Sequence, residues 1–426
     1  MRTLDPVNRN ELMRWYECAR KLTCELCEPL EIEDHVVQPV ADVSPPKWHL
    51  GHTTWFFERM VLSETPGYEP LHPQYNLIFN SYYNALGPRW ARSMRGALSR
   101  PTVREVLSYR SHVDQHLLEF LRSGNGQISS GVSSLVELGT HHEQQHQELL
   151  ITDIKAILAH SPIYPVYRPA PDVARNGSIR AATEDFTAFP AGRYNVGFSG
   201  VGFAYDNEKP AHFVWLGDFE LRNRLVTNGE FLDFINDGGY QRPELWLADG
   251  WDLVQQQGWN TPLYWIPDGD RWKMFTLSGV CEMDLGEPVC HVSYFETDAF
   301  ARWKEMRLPT EHEWEVAART AEPEEIHRGS FLDSGLLRPA PDSSEPGTIS
   351  QMFGEVWQWT SSAYLPYPGF RALPGALGEY NGKFMNGQYV LRGGSCATPR
   401  THIRASYRNF FQPEKRWQFT GIRLAR

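Results

Sequence analysis

The chain has 426 residues, of which 41% are hydrophobic and 15 are tryptophan, so it can bury the cores of two or three domains. Its formal net charge is -11 and it contains no run of lysine or arginine, which argues against a nucleic-acid partner held by phosphate contacts and favours small-molecule partners. Its six cysteines are too few for a disulfide scaffold and are typical of a reducing compartment.

The N-terminal residues 1–24 have polar side chains every few positions and no apolar core of a signal peptide. No stretch of about 18 uninterrupted apolar residues occurs in the chain, so we expect a soluble, cytoplasmic protein without a membrane partner. Cys24 and Cys27 form a C-x-x-C motif, but no second Cys or His pair stands at zinc-site spacing. We therefore expect ordinary reduced thiols within a helix.

Apolar residues recur every three and four positions in four segments, near 9–28, 45–64, 101–123 and 132–160. The third segment has the clearest apolar stripe, made of Val103, Val106, Leu107, Val113, Leu117, Leu118 and Leu121. In the second segment, Ser44 is predicted to cap the helix and Pro45 to occupy its first turn. Four helices of this length predict a four-helix bundle over residues 1–162.

Residues 163–187 are rich in Pro, Gly and Ser and are predicted to form a linker. Residues 188–426 contain short strand-like runs, namely YNVGF (194–198), HFVWL (212–216) and YVLRGGS (389–395), and two short helical segments near 228–239 and 294–306. This pattern predicts an α+β domain with long irregular loops.

The fourth helical segment carries polar residues on its inward seam, which comprises Leu135, Leu138, His142, Gln145, Leu149, Thr152 and Ala156. His146 follows His142 by one turn and shares its face. On the second segment, His52 lies on an inward stripe with Trp48, Trp55 and Phe56. Buried imidazoles on facing helices are explained by a shared metal ion, so we predict the ligands His52, His142 and His146. His49 and His141 lie about 100° off these faces and are predicted at the surface or behind the ligands.

The stretch His142-Glu143-Gln144-Gln145-His146 also fits the H-E-x-x-H pattern of zinc peptidases. That interpretation requires a third ligand downstream, but no glutamate occurs between Glu148 and Glu184 and the extended histidine motif is absent. Glu143 points about 100° away from His142, so we assign it no role in metal chemistry. Glu148 is interpreted as a structural or supporting carboxylate.

Several longer motifs resemble known families. His52 with His142-x-x-x-His146-x-Glu148 resembles the three-histidine site of DinB-like bundles. The segments at 288–319, FGEVWQWTSS (353–362), YVLRGGSCAT (389–398) and FTGIRLA (419–425) resemble the formylglycine-generating-enzyme, or sulfatase-modifying-factor, domain, which has a C-type-lectin-like fold. The two domains in this order are similar to the ergothioneine-biosynthesis sulfoxide synthases. The resemblance implies Fe(II)- and O2-dependent C–S bond formation between hercynine (Nα-trimethylhistidine) and a cysteine thiol, giving the sulfoxide.

The resemblance also implies roles for residues at matching positions. An active-site tyrosine is expected, either from the pair Tyr82 and Tyr83, which we favour as catalytic, or from Tyr364 and Tyr367 in the second domain, which we count among the substrate-binding residues. Packing at a domain interface is the alternative for each pair. The formylglycine oxidases have two cysteines five residues apart, whereas this chain has Cys396 with Leu391 and Thr401. We therefore expect no oxidase activity of that type.

The implied hercynine pocket has an aromatic wall that suits a quaternary ammonium group. The matching residues are Trp48, Gln145, Asn409, Phe410 and Phe411. Asn409 is expected to hold the hercynine carboxylate and Gln145 its imidazole through water, while Trp48 could equally belong to the bundle core. Phe411 stands where users of γ-glutamylcysteine have an acidic residue, so free cysteine is favoured over γ-glutamylcysteine.

Four arginines crowd one loop, at positions 89, 92, 95 and 100. Arg92 and Arg95 best match the family's pair that binds the carboxylates of the thiol substrate, and the guanidinium fork suits that task. Solvated surface arginines are the alternative.

Three other functions remain open at this point. One is a zinc-dependent thiol S-transferase of DinB type, which needs no large second domain. Another is an ovothiol-type synthase, which acts on histidine and joins sulfur to a different ring carbon. The third is a binding protein in which a lectin-like domain displays the ligand site and the histidines are structural.

Overall fold

A computed structural model describes residues 9–123, 130–171, 185–320, 326, 328–345 and 347–426 of the chain. Contacts divide the chain into two compact units. The first comprises Met1–Tyr167 with two short later segments, Gly200–Phe203 and Leu373–Tyr380; the second comprises Arg168–Ser199, Ala204–Ala372 and Asn381–Arg426. Much of the predicted linker, residues 172–184, lies outside the described residues, so its boundaries stay a prediction. Among the helices that are described, none has the length and apolarity needed to cross a membrane.

The first unit is helical, and its four long helices confirm the four predicted segments. They are α1 (Arg9–Glu25), α2 (Pro46–Met60), α4 (Val103–Ser123) and α5 (Ser130–Ala159), with a short helix α3 (Tyr75–Phe79) that was not predicted. Helix α2 packs against α4 and α5, and α1 packs against α5. Nearly every residue of α2 is buried, because neighbouring helices cover it on several sides.

Close packing around α2 depends on small residues. A Cβ atom added to Gly51 would lie 2.1 Å from Phe79 Cε1, and one added to Gly139 on α5 would lie 2.5 Å from Phe57 Cε1. Only glycine fits at these two points without displacing an aromatic ring. The small distance between α2 and α5 at Gly139 brings the polar side chains of the two helices together.

Some local predictions were wrong. Ser44 does not cap α2, because the capping position is Pro45 and the first helical residue is Pro46. Leu107 is 41% exposed, whereas Tyr109 and Arg110 are buried on α4 in its place. Cys24 lies in α1, but Cys27 lies beyond its end at Glu25. None of the six cysteines, all of which lie in described segments, is joined in a disulfide bond.

The inward seam of α5 is wider than the sequence predicted. Leu135 and Leu149 are only half-buried, while Glu143 and Gln147 are fully buried. A helix that is covered on most sides carries no single apolar stripe. A predicted seam of only two residues per heptad therefore did not identify all of the buried residues of α5.

The second unit is α+β, as predicted. The helices given by its described segments are α6 (Asn228–Asn236), α7 (Ala248–Gln257), α8 (Tyr294–Trp303) and α9 (Glu311–Ala318). The sequence indicated α6 and α8 but not the other two. Helices α6, α8 and α9 each begin with a capping box. The side chain of a Thr or Ser accepts from the backbone N–H of a glutamate three residues on, and the carboxylate of that glutamate accepts from the backbone N–H of the Thr or Ser.

The strands that the structure describes in the second unit form four small sheets. They are β1 (Phe186–Phe189), β2 (Gly192–Val196), β3 (His212–Leu216), β4 (Phe219–Arg222), β5 (Trp265–Asp268), β6 (Arg271–Thr276), β7 (Gly279–Glu282), β8 (Trp357–Ala363), β9 (Tyr389–Arg392), β10 (Asn409–Phe411) and β11 (Thr420–Gly421). The largest sheet has the order β10-β9-β8-β11, in which β11 pairs parallel to β8 and the other pairs are antiparallel. Strands β2, β3 and β9 confirm the three strand-like runs.

Candidate metal centre

Two helices of the first unit bring three imidazoles together. His52 lies on α2, and His142 and His146 lie one turn apart on α5, as their helical spacing predicts. One ring nitrogen from each of the three lies within 4.8 Å of the others, and His52 Nε2 is 3.2 Å from His142 Nε2. Within the part of the chain that the structure describes, this is the one group of three His, Cys, Asp or Glu side chains with the spacing of metal ligands.

The three rings are buried and held in the neutral form. Burial lowers the pKa of His142 to about 3, and burial together with the neighbouring histidines holds the pKa of His52 and His146 well below the ordinary value. His52 Nδ1 lies 2.6 Å from the carbonyl oxygen of Phe79, to which it donates, so its Nε2 presents a lone pair. Neutral imidazoles with converging lone pairs fit a divalent first-row metal ion.

The two histidines that were predicted off the metal face are both buried. His49 approaches a ligand directly, because its Nδ1 is 2.9 Å from Nδ1 of His146. His141 turns to another side of α5, where its ring stacks on Phe203 at a centroid distance of 3.8 Å. His49 therefore contacts a predicted ligand.

Glu143 belongs to an ion-pair cluster on another side of α5. Its carboxylate accepts from Arg20 Nη1 at 3.0 Å, from Thr23 Oγ1 at 2.7 Å and from Arg110 Nη2. These partners outweigh the effect of burial and lower the pKa of Glu143 to about 2. A carboxylate that is fully buried and committed to two guanidinium groups cannot serve as the base of a zinc peptidase, which agrees with the sequence interpretation.

Trp48 lies directly beside the triad. Its indole stacks on the His52 ring at a centroid distance of 4.5 Å, and its Nε1 donates to the carbonyl oxygen of Ile78 at 3.1 Å. The guanidinium carbon of Arg95 lies 3.3 Å from the centre of the Trp48 ring. Trp48 is buried. Its expected contact with a quaternary ammonium group stays a prediction.

The two arginines predicted to bind a carboxylate differ in environment. Arg92 is exposed, and its Nη2 donates to the carbonyl oxygen of Asp42. Arg95 is 4% exposed, its Nη1 donates to Ser44 Oγ at 2.8 Å, and its Nε has no hydrogen-bond partner among the residues that the structure describes. Burial, reinforced by Arg92, holds the pKa of Arg95 well below its usual range. Arg95 is therefore a buried cation whose polar contacts are incomplete.

Sequence reasoning missed Tyr380. This residue ends the segment Leu373–Tyr380, which belongs to the first unit. Its hydroxyl donates to Gln145 Oε1, and its ring centroid is 5.7 Å from that of His142. The two tyrosines favoured from the sequence, Tyr82 and Tyr83, stack on each other at 4.6 Å, and the Tyr82 ring lies 6.3 Å from the Tyr380 ring. No periodic pattern marks an isolated tyrosine in a glycine-rich loop, so only the folded chain reveals it.

Glu379 holds the end of this segment. Its carboxylate accepts from the backbone N–H groups of Asn84 and Ala85 at 3.0 and 2.8 Å. These two residues begin the 3-10 turn Asn84–Leu86, which directly follows Tyr83.

The remaining predicted residues belong to the second unit. Tyr364 stacks on Phe410 at 4.0 Å, and its hydroxyl accepts from Asn207 Nδ2. Tyr367 donates to Glu311 at 3.2 Å and lies in a buried cluster of ion pairs. Asn409 accepts from the N–H of Phe410, and the Phe411 ring packs against Trp417. Their roles toward substrate stay predictions.

Comparisons with known proteins match both halves of the chain. A model of the sulfatase-modifying factor enzyme 1-like domain matches residues 174–426, and one of the DinB superfamily matches residues 16–150. The chain is 33% identical to hercynine oxygenase of Mycobacterium tuberculosis, over 90% of this chain and 91% of that protein. It is 31% identical to hercynine oxygenase of Mycolicibacterium thermoresistibile, over 98% and 95% respectively. It is also 32% identical to ergothioneine biosynthesis protein 1 of Schizosaccharomyces pombe, over 53% of this chain and 28% of that protein.

Proposed function

The chain belongs to the hercynine oxygenase family of ergothioneine biosynthesis, and on that premise we propose that it is an Fe(II)- and O2-dependent sulfoxide synthase that joins hercynine to cysteine. The observation that carries the proposal is the buried group of three neutral imidazoles on facing helices, His52, His142 and His146. A family of oxygenases and a three-histidine site together support a metal-dependent oxidation.

The overall reaction sets what the site has to accommodate. A ring C–H bond of hercynine and the S–H bond of the thiol are broken, and a C–S bond forms. One oxygen atom of O2 becomes the sulfoxide oxygen and the other leaves as water, so O2 accepts the four electrons that the two substrates lose. Two organic substrates and O2 must therefore meet at one centre.

Three neutral histidines suit that requirement. They would neutralise none of the charge of a divalent ion and would leave about three of its positions open, so Fe(II) held by these residues would supply redox chemistry to a thiolate and O2. A zinc ion held by the same residues would activate a thiol but could not exchange electrons with O2. The choice of iron over zinc is part of the proposal.

Protein side chains provide the rest of the chemistry. Tyr380 and Gln145 form a hydrogen-bonded pair beside the triad, so the Tyr380 hydroxyl is available as a proton donor and the Gln145 amide as a partner for the imidazole of hercynine. The incomplete contacts of the buried Arg95 guanidinium suit a substrate carboxylate, which would restore a charge-assisted hydrogen bond. We assign that carboxylate to cysteine.

Anaerobic reconstitution of the full chain with Fe(II) tests the proposal. Hercynine and histidine are each paired with cysteine and with γ-glutamylcysteine, and O2 uptake is measured together with the product mass. We expect hercynine plus cysteine to consume one O2 per coupled product and to retain one labelled oxygen from ¹⁸O2. A coupled product from histidine with sulfur on the other ring carbon would favour the ovothiol-type alternative.

Variants connect the activity to the triad. His142→Ala is expected to lose metal and coupling while the protein stays folded, whereas the matched control His141→Ala is expected to keep both. Stoichiometric zinc with thiol transfer and no O2 uptake would favour the S-transferase. No coupled product from any pairing of substrates would refute the proposal.

A further inference from the structure

We infer that His49 and Asp153 are positioning residues that fix the ring orientation and the tautomer of the metal ligand His146. The inference rests on the metal site proposed above. Two buried hydrogen bonds in series, one between Asp153 and His49 and one between His49 and His146, would orient this ligand before any metal or substrate binds.

The chain of contacts begins at Asp153. One oxygen of this carboxylate, Oδ2, lies 3.0 Å from His49 Nε2 and 2.8 Å from the backbone nitrogen of Ser44. An ionised carboxylate only accepts hydrogen bonds, so His49 Nε2 must carry the hydrogen. Both side chains are buried, at 2% and 3% exposure, and water does not compete for these positions.

The second contact follows from the first. With the ring hydrogen on Nε2, His49 presents the lone pair of Nδ1, and this atom lies 2.9 Å from His146 Nδ1. His146 must then donate from Nδ1. Its Nε2 is left with the lone pair, which is the form that binds a metal ion. Asp153 thus selects the tautomer of His146 through the intervening imidazole.

The three predicted ligands differ in the hydrogen-bond partner of their second ring nitrogen. His52 donates to a backbone carbonyl, that of Phe79, and His142 Nδ1 has no hydrogen-bond partner within the described segments. Among the described residues, His146 is the ligand that bonds to a side chain outside the triad, and that side chain comes from α2, three residues before His52. Helix α2 therefore provides one ligand and also positions a ligand of α5. A variant at His49 should disturb the site without removing a donor atom.

The arrangement follows from helical spacing. Asp153 lies seven residues, or two turns, after His146 on α5, and His49 lies three residues before His52 on α2, so each pair shares a face of its helix. Hydrogen-bonded partners of metal-bound histidines typically contribute about 10- to 100-fold to metal affinity. We expect a contribution of that size here.

Metal affinity tests the inference without an activity assay. Co(II) is titrated into the metal-free full chain in competition with a chelator, and its visible d–d absorption bands are recorded. His49→Phe keeps an aromatic ring at this position but removes both ring nitrogens, so we expect Co(II) affinity to fall by about 10- to 100-fold and the bands to shift. Asp153→Asn keeps an oxygen that accepts from Ser44 and His49 while removing the charge, so we expect a smaller loss. His141→Phe is the matched control, with wild-type affinity and bands.

The outcomes separate this inference from the proposed function. If the wild-type chain binds no Co(II), or if His142→Ala binds as tightly as the wild type, the metal site itself is refuted. If the wild type binds and His49→Phe remains within twofold of it with unshifted bands, the positioning role alone is refuted. Circular dichroism of the metal-free variants establishes that each is folded, and should His49→Phe not fold, Asp153→Asn decides by the same two readouts.

Discussion

Replacing Glu143 by glutamine separates a structural role from a catalytic one at the H-E-x-x-H stretch. Glu143 is fully buried and accepts hydrogen bonds from Arg20, Arg110 and Thr23. The substitution preserves the shape of the side chain but removes the negative charge that two buried guanidinium groups share. We expect a large loss of stability and unchanged metal binding.

The magnitude follows from the pKa of the carboxyl group. Its pKa is about 2 in the folded chain against 4.5 for an ordinary glutamate, and at about 1.4 kcal/mol per pKa unit this difference corresponds to about 3 kcal/mol. Removing one partner of a buried ion pair typically destabilises a protein by about 3–5 kcal/mol, which agrees. Because the folded-state pKa is lowered, this stabilisation is fully present above pH 4.5 and is lost as the pH falls towards 2.

Urea unfolding of the metal-free proteins measures the effect. We expect Glu143→Gln to lower the free energy of unfolding by about 3 kcal/mol at pH 7, and the gap from wild type to narrow below pH 4.5. Glu17→Gln on α1 is the control, since its half-exposed carboxylate lies 3.7 Å from Arg122 and a surface pair of this kind contributes less than about 1 kcal/mol. A variant with wild-type stability but without metal-dependent activity would overturn this reasoning and place Glu143 at the metal.

Three further substitutions test separate parts of the first unit. Tyr380→Phe removes the hydroxyl that donates to Gln145, so we expect unchanged Fe(II) affinity but a turnover number lower by about 100-fold in the O2-uptake assay, and equal turnover would exclude a proton-donor role. Gly139→Ala brings a methyl group to 2.5 Å from Phe57, so urea unfolding should show a loss of about 1–3 kcal/mol, and an unchanged midpoint would contradict the close packing. Arg95→Met should raise the KM for cysteine by about 10- to 100-fold with little change for hercynine, because it removes the charged donor assigned to the thiol's carboxylate. An equal rise for both substrates would contradict that assignment.

The helical part of the site could be predicted from the sequence because it depends on local spacing. His142 and His146 share a face since they are four residues apart, and His52 lies among the large aromatic residues of a buried helix. The same spacing rule predicted too narrow a buried face for α5, because this helix is covered on most sides and its buried residues follow no single stripe. Periodicity identifies a face reliably only where the opposite face is exposed to water.

Two contacts at the site could not be predicted because they join residues that are distant in the chain. Tyr380 and Gln145 are separated by 235 residues, and neither their spacing nor their surroundings indicates the pairing. The helical spacing places His49 about 100° around α2 from the metal-facing residues, and His49 is not one of the three predicted ligands. What the angle could not give was the partner, since Asp153, 104 residues later, makes a buried histidine at that position favourable.

The H-E-x-x-H stretch shows why a short motif needs its partners before it can be given a function. In this chain the two histidines and the glutamate face different neighbours: His142 and His146 meet His52 of α2, while Glu143 meets Arg20 of α1 and Arg110 of α4. A peptidase base must remain free to accept a proton from water near the metal, and a carboxylate with its pKa at about 2 is a poor acceptor at neutral pH. The ion pairs therefore exclude peptidase chemistry on electrostatic grounds, and they stabilise the bundle that brings the three histidines together.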